Sequence, residues 1–269
     1  VHPDSLTTSS YHLPHKTSAL FSELKLHYDR TIFLTFSHRT DKSSTLPGKS
    51  YFQSPSAGVS YIFTEHFQPL MGLLDLGKIR ASFASLSRDP YPYMPGEIYR
   101  PDEFGSLLPQ EFQVDDQLRS EKTKTFETGI DLEAMGGKAG LRFSYFHILD
   151  EDIILPVMAS GPSAKVITNA ASIRQKGIEV SLDLHPLQAK NLQWDIGIQF
   201  SSQRNRIISV AEEQPEILLA RENGYSGSYA SILMKEGGRF GDIYGSSYRR
   251  FQPQDNIRPD KNAPLLIGE

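Results

Sequence analysis

His12 and His15 stand at a spacing at which two imidazoles can share one metal ion. They sit in a Ser/Thr/Pro-rich stretch, "SLTTSSYHLPHK", with no third ligand near in sequence, so they read as exposed loop histidines. Asp150-Glu151-Asp152 offers the hard oxygens that calcium prefers. A solvated acidic loop is the simpler account. The serines of Tyr225–Ser231 read as a flexible loop rather than a nucleophile site, because no Gly-x-Ser-x-Gly elbow surrounds them. Neither a phosphate-binding Gly-rich loop nor His-Glu-x-x-His occurs. No catalytic residue, metal site or cofactor is therefore assigned, and the chain is not expected to be an enzyme. Two further sets have chemistry available to them. One is a group of charges at alternate positions: Glu23, Lys25, Arg80, Glu127, Asp131, Arg142, Glu179 and Asp183. The other is a scatter of aromatics, Tyr91, Tyr93, Tyr99 and Phe104, of the kind that stacks on sugar rings or packs a loop. Which residues touch a substrate is not readable.

The alternating charges need strands to hold them, and period-two patterning dominates the chain. Leu20, Leu24, Leu26 and Tyr28 alternate with Glu23, Lys25 and His27. Ile32, Leu34 and Phe36 follow after Asp29-Arg30. Ala57–Phe63 and Ile79–Phe83 continue the pattern, as do Phe126–Leu132, Leu141–His147, Ile178–Leu184 and Trp194–Phe200. That is eight strands, with a ninth expected around Gly241–Tyr248. None of the 17 prolines falls inside the stretches so read, and Pro55 immediately precedes one, as the lack of an N–H demands. A turn of helix is expected within Glu65–Leu74.

Connections alternate in length. Asp29-Arg30, Ala134–Gly140 and His185–Asn191 are short and Thr64–Gly77 is intermediate. Arg39–Ser54, Ser87–Lys124, Leu149–Gly177 and Ser201 to about Ser231 are long. In an up-and-down antiparallel sheet this trims one end and elaborates the other, the asymmetry of transmembrane β-barrels. Tyr28, Tyr61, Phe63 and Trp194 share the apolar face near the shorter connections, where an interfacial girdle runs. The alternative is a soluble or surface-attached β-sandwich that binds carbohydrate. A net charge of −4 gives no footprint for nucleic acid, and the absence of cysteine excludes disulfides and thiolate chemistry.

The wording of these strands resembles a known family. "YDRTIFLTFSHRTDKSSTL", "SYFQSPSAGVSYIFTEHF", "GKIRASFASLSRDPYPY" and "EKTKTFETGIDLE" are similar, in order, to segments of the SusC/RagA-type TonB-dependent outer-membrane transporters. "SYFHILDEDIILPV", "TNAASIRQKGIEVSLDLHPL", "WDIGIQFSSQRNRIISV" and "GGRFGDIYG" extend the likeness over nearly all of Leu20–Gly245. Leu86-Ser87-Arg88, Gln175-Lys176-Gly177, Gln199 and Gln203 depart from the family's usual wording at turns and inner-face positions. The resemblance implies an all-β chain: an antiparallel up-and-down transmembrane β-barrel segment supplying about eight or nine strands of a roughly 22-stranded barrel. All of 1–269 would be partial barrel, with signal peptide, TonB box, plug domain and final strands outside it. It further implies residence in the bacterial outer membrane as a multi-pass barrel. The implied task is uptake of oligosaccharides or peptides, with TonB acting through the plug and a SusD-like surface lipoprotein as partner. Outer-membrane lipid would meet the apolar face.

Overall fold

The computed structural model describes residues 15–46, 51–67, 74–90, 100–101, 107–108, 112–158, 165–211, 215–223 and 229–245. Eight strands form one antiparallel path: β1 (Thr17–Tyr28), β2 (Ile32–Ser43), β3 (Tyr51–Ile62), β4 (Leu76–Arg88), β8 (Glu121–Ala134), β9 (Ala139–Met158), β10 (Lys165–Ala189) and β11 (Leu192–Val210). Between β4 and β8 lie the short strands β5 (Arg100–Pro101), β6 (Leu107–Leu108) and β7 (Phe112–Val114). β7 joins the main sheet parallel to β10, with Ile167 opposite Val114. A separate sheet is made of β12 (Glu216–Asn223), β13 (Tyr229–Lys235) and β14 (Ile243–Gly245).

The eight strands of the path are the eight expected ones, each longer than its period-two stretch. The expected ninth is β14, three residues long and in the smaller sheet; 246–248 lie outside the described residues. The helical turn is a 3-10 turn at Phe63–Glu65, earlier than expected, and 68–73 lie outside the described residues.

Most of the length read as long connection is strand. β9 and β10 stay paired as far as Met158 opposite Lys165, with two register shifts around Ala171, so Leu149–Gly177 is ladder for most of its course. β11 runs to Val210, and β12 and β13 fill much of the stretch beyond it. At about 3.3 Å per residue, the 25 residues of β10 reach roughly 80 Å, while about 9–11 residues suffice to cross a bilayer. Half of such a strand stands outside any membrane. There neither face meets lipid, so the alternation that lipid imposes on a strand disappears from the sequence. The longer strands also take in Pro55, Pro156 and Pro186. β3 begins to pair with β4 only at Ser56, directly after Pro55, and Pro186 falls at the irregularity between Leu184 and Leu187.

The projecting ends have a core of their own. Val157, Ala170, Ala171 and Ile173 pack with Ile207, Ile217 and Met234, the last 1% exposed. This joins β9, β10 and β11 to β12 and β13 as one sheet against another. The opposite end is closed by tight turns. Asp29 and Arg30 adopt left-handed φ of 46° and 53°, and Met135-Gly136-Gly137 turns β8 into β9.

Candidate functional site: a two-faced wall with a polar cleft

One face of the path is apolar from edge to edge. A single lateral row runs Tyr28, Ile32, Tyr61, Ile79, Ile130, Phe143, Val180 and Phe200, each directly opposite the next across the ladder. Neighbouring rows add Leu24, Leu26, Phe83, Phe126 and Ile198. Most of these side chains are exposed, Ile198 by 54% and Phe200 by 56%, and Ile32, Tyr61, Ile130 and Val180 are half-buried. A sandwich would bury such a face under a second sheet. Here only another apolar phase can cover it. Tyr28 and Trp194 lie at its tight-turn border, 73% and 57% exposed. Phe63 folds back over Gly77, where an added Cβ would fall 2.4 Å from the ring.

The opposite face holds the alternating charges, and most of them pair across strands. Lys78 reaches Asp131 at 2.7 Å and Arg142 reaches Asp183 at 2.8 Å, while Lys25 pairs with Glu23 along β1 at 2.7 Å. Arg80 is the hub. It pairs with Glu127, lies 3.8 Å from Asp131, and donates to Ser144 two strands away. Arg80, Gly129 and Ser144 occupy one lateral row, so the guanidinium crosses β8 over the glycine. A Cβ on Gly129 would sit 3.0 Å from Arg80 Nη2 and 2.6 Å from the Phe143 carbonyl oxygen. Glycine inside a strand signals such a close approach, and this one was readable in "ETGIDLE". Glu179 forms no ion pair among the described residues.

Toward the long-connection end, this inner face opens into a cleft of about 610 Å³. Glu121, Asp150, Gln175, Gln203 and Asn205 line it together with Leu86, Leu219, Met234 and Phe240. Gln175 donates to Asp150 at 3.2 Å. Asn205 accepts from the Phe240 amide at 2.7 Å and donates to its carbonyl at 3.3 Å, which pins the 239–242 turn over the cleft. Amides and carboxylates beside apolar side chains can hold a polar organic ligand by hydrogen bonds and contact. Nothing in the sequence marked Asn205.

The acidic triplet is not a loop. It lies within β9, where Asp150 accepts from Thr123 at 2.6 Å, Glu151 pairs with Lys124 at 2.6 Å, and Asp152 pairs with Arg119 at 2.6 Å. Three partners on three sides disperse the carboxylates, and among the described residues no group of three His, Cys, Asp or Glu side chains is placed to hold a metal. Ser231 likewise is not in a flexible loop; it lies in β13 and is 6% exposed, while 225–228 fall outside the described residues. His12, Tyr91, Tyr93, Tyr99 and Phe104 also lie outside them.

His15, Ser43 and Asp89 meet, which brings Ser, His and Asp together without forming a relay. His15 Nε2 is 3.3 Å from both Ser43 Oγ and Asp89 Oδ2, and Ser43 donates directly to the same carboxylate oxygen at 2.6 Å. Thr45 adds a bond to it at 3.1 Å. Burial works against the Asp89 charge, but the hydrogen bonds from Ser43, Thr45 and His15 outweigh it and hold the carboxyl below its ordinary value. The cluster ties the end of β2 to the end of β4.

The segment after β7 is clamped in the same way. Asn169 accepts from the Arg119 amide at 2.8 Å and donates to the Arg119 and Asp152 carbonyls at 3.0 and 2.7 Å. Asp115 accepts from Thr168 at 2.6 Å and from the Gln117 amide at 2.8 Å, which lowers its pKa against a smaller opposing effect of burial.

The family model described as TonB dependent receptor-like, beta-barrel, matches residues 2–260. TonB-dependent receptor P3 of Formosa agariphila is 23% identical over 274 residues, covering 97% of this chain and 27% of the relative. TonB-dependent receptor P39 of the same organism is 24% identical over 251 residues, covering 89% and 23%. The chain thus spans about a quarter of the length of the curated relatives it matches. Among solved structures, the RagAB peptide importer in its open-open state superposes with a TM-score of 0.73 at 16% identity, over 98% of this chain and 30% of that one. The FrpB iron transporter from Neisseria meningitidis superposes with a TM-score of 0.52 at 17% identity, over 81% and 32%. At these identities the likeness is one of fold.

Proposed function

The chain belongs to the TonB-dependent receptor-like β-barrel family of the outer membrane, and from that premise we propose that it supplies wall and outer-end loops to a nutrient importer of oligosaccharides or peptides. In fold it is of the SusC/RagA type. The observation that carries the reading is the unbroken apolar row across eight strands, set against a charged inner face that ends in a polar cleft. Lipid covers the first, and water and cargo pass along the second. The inner-face ion pairs leave little net charge to trap a solute. The cleft's amides then suit hydroxyl-rich or peptide ligands, and the RagAB neighbours import peptides.

In this reading a SusD-like surface lipoprotein closes over the long-connection end, and TonB delivers energy through a plug domain. The chain performs no catalysis of its own. The experiment is uptake by cells whose only copy of the full-length transporter carries Gln175→Ala and Asn205→Ala, supplied with labelled oligopeptides and labelled oligosaccharides in parallel. Loss of uptake for one cargo class, with barrel level in the membrane unchanged, supports the reading and names the class. Undiminished uptake of both removes the cleft from the function.

A further inference from the structure

Charge is distributed unequally over the two faces just beyond the apolar belt. On the membrane-facing side, the row after Val180 and Phe200 holds Ile178 and Ser202, and the two rows after it hold only cations on β10 and β11. Lys176 lies directly opposite Arg204, and Arg174 directly opposite Arg206. Pairing is regular through this stretch, so all four side chains share the face of Ile178, Val180 and Phe200. Like charges directly opposed across a ladder repel. Here two such pairs are stacked one above the other. None of the four forms an ion pair among the described residues, whereas the inner face at the same level carries acids and amides.

Two further observations mark the cluster. His147 sits opposite Lys176 on β9, and the charges of Lys176 and Arg174 both reach it. Among buried side-chain nitrogens of the described residues, the two without a hydrogen-bond partner are His147 Nε2 and Arg174 Nε. Both belong to this patch. Among the described residues the cluster therefore lacks a counter-anion and some of its acceptors at one place.

Its height identifies the partner. Arg204 is ten residues along β11 from Trp194, the aromatic at the tight-turn border, and about 9–11 residues carry a barrel strand across the hydrocarbon. The cations thus stand where the belt ends on the long-connection side, facing outward, at the depth of lipid headgroups. We propose that Arg174, Lys176, Arg204 and Arg206 form a docking site for the phosphates of an anionic lipid in the outer leaflet, lodged against β10 and β11. Guanidinium groups match phosphate oxygens in a bidentate way, and an anion between opposed cations turns their repulsion into a shared attraction. The inference rests on the barrel reading given above.

The test uses the full-length transporter in nanodiscs of phosphatidylcholine with or without bisphosphorylated lipid A. Bound lipid is counted by mass spectrometry after extraction. The wild type should retain lipid A. Arg174→Gln with Lys176→Gln, Arg204→Gln and Arg206→Gln should retain at least about tenfold less, since each basic residue beside an anionic surface contributes on the order of a fivefold change in affinity. The milder pair Lys176→Gln and Arg204→Gln guards against a folding defect, and Arg142→Gln on the inner face should leave retention unchanged. Equal retention by the outer-face variants overturns the proposal, as does displacement of lipid A by millimolar inorganic phosphate, which would make the ligand a free anion. A wild type that inserts with heat-modifiable mobility but holds no lipid A overturns the proposal and leaves the barrel intact. One that never inserts removes both.

Discussion

At the scale of the residue, Gly129 decides whether the inner-face network can exist. Arg80 reaches Ser144 only by lying across β8, and the space it crosses is the missing side chain of Gly129. Gly129→Val in the full-length protein should displace the guanidinium and cost about 1–3 kcal/mol, as overpacking does. Arg80→Met with Gly129→Val should cost less than the sum of the two singles, because the second change removes what the first collides with. Urea unfolding from lipid vesicles measures both; additive losses would mean that Arg80 and Gly129 do not interact. Asp89 gives a pH-dependent counterpart. Its folded carboxyl titrates below the ordinary value near 4, so its bonds contribute fully above that value and are lost as pH falls through the lower, folded one. The protection of the Thr45 amide, whose N–H donates to Ser43 Oγ, measured against the unfolded chain at the same pH, should therefore fall on acidification below about pH 4. Asp89→Asn should exchange faster already at neutral pH. A variant with wild-type protection throughout would detach Asp89 from this end of β2. Arg80, Glu127 and Asp131 were legible as alternating charges. Asp89 and Asn205 were not, because a residue whose work is to bond a distant backbone carries no local pattern.

At the scale of the element, legibility followed the solvent. Strands were readable where one face met lipid and the other water, as in Ile178–Leu184, and unreadable where both faces carry polar residues, as in Thr40–Ser43, whose buried side is Asp41 and Ser43. The core around Ile173, Ile207 and Met234 escaped for a further reason: register shifts near Ala171 change which parity points inward. The 112–120 segment is the element this concealed most completely. It has a three-residue strand, a buried Leu118 at 4% exposure, and a clamp in Asn169 that makes three backbone bonds. Asn169→Ala strands those groups and should cost about 1–3 kcal/mol locally. Trypsin should then cut after Arg119 in intact, detergent-solubilised transporter, with the rest of the barrel resistant. Unchanged resistance at Arg119 would show that Asp115 and Leu118 hold the segment without it.

At the scale of the whole molecule, the apolar row and the charged face make opposite demands that only a membrane-spanning wall satisfies together. Ile198 and Gln199 are adjacent in β11 and point to opposite sides. Ile198→Arg should cost about 2–4 kcal/mol where it meets the middle of the bilayer, and Gln199→Arg close to nothing. Equal tolerance would end the barrel assignment for this strand. The path also has two open edges, β1 and β11, since neither has a second main-sheet neighbour among the described residues. In the full-length barrel, other strands should complete both ladders. The amides of Thr17–Tyr28 that point away from β2 should then be strongly protected from exchange in the full-length protein. In the 269-residue chain alone they should exchange rapidly, and that chain should stay dispersed only in detergent, because its edges and its belt are both uncovered. Were the isolated chain monomeric without detergent, with β1 already protected, the belt would have found a cover within the chain itself. The wall would then be a closed soluble fold rather than a sector of a barrel.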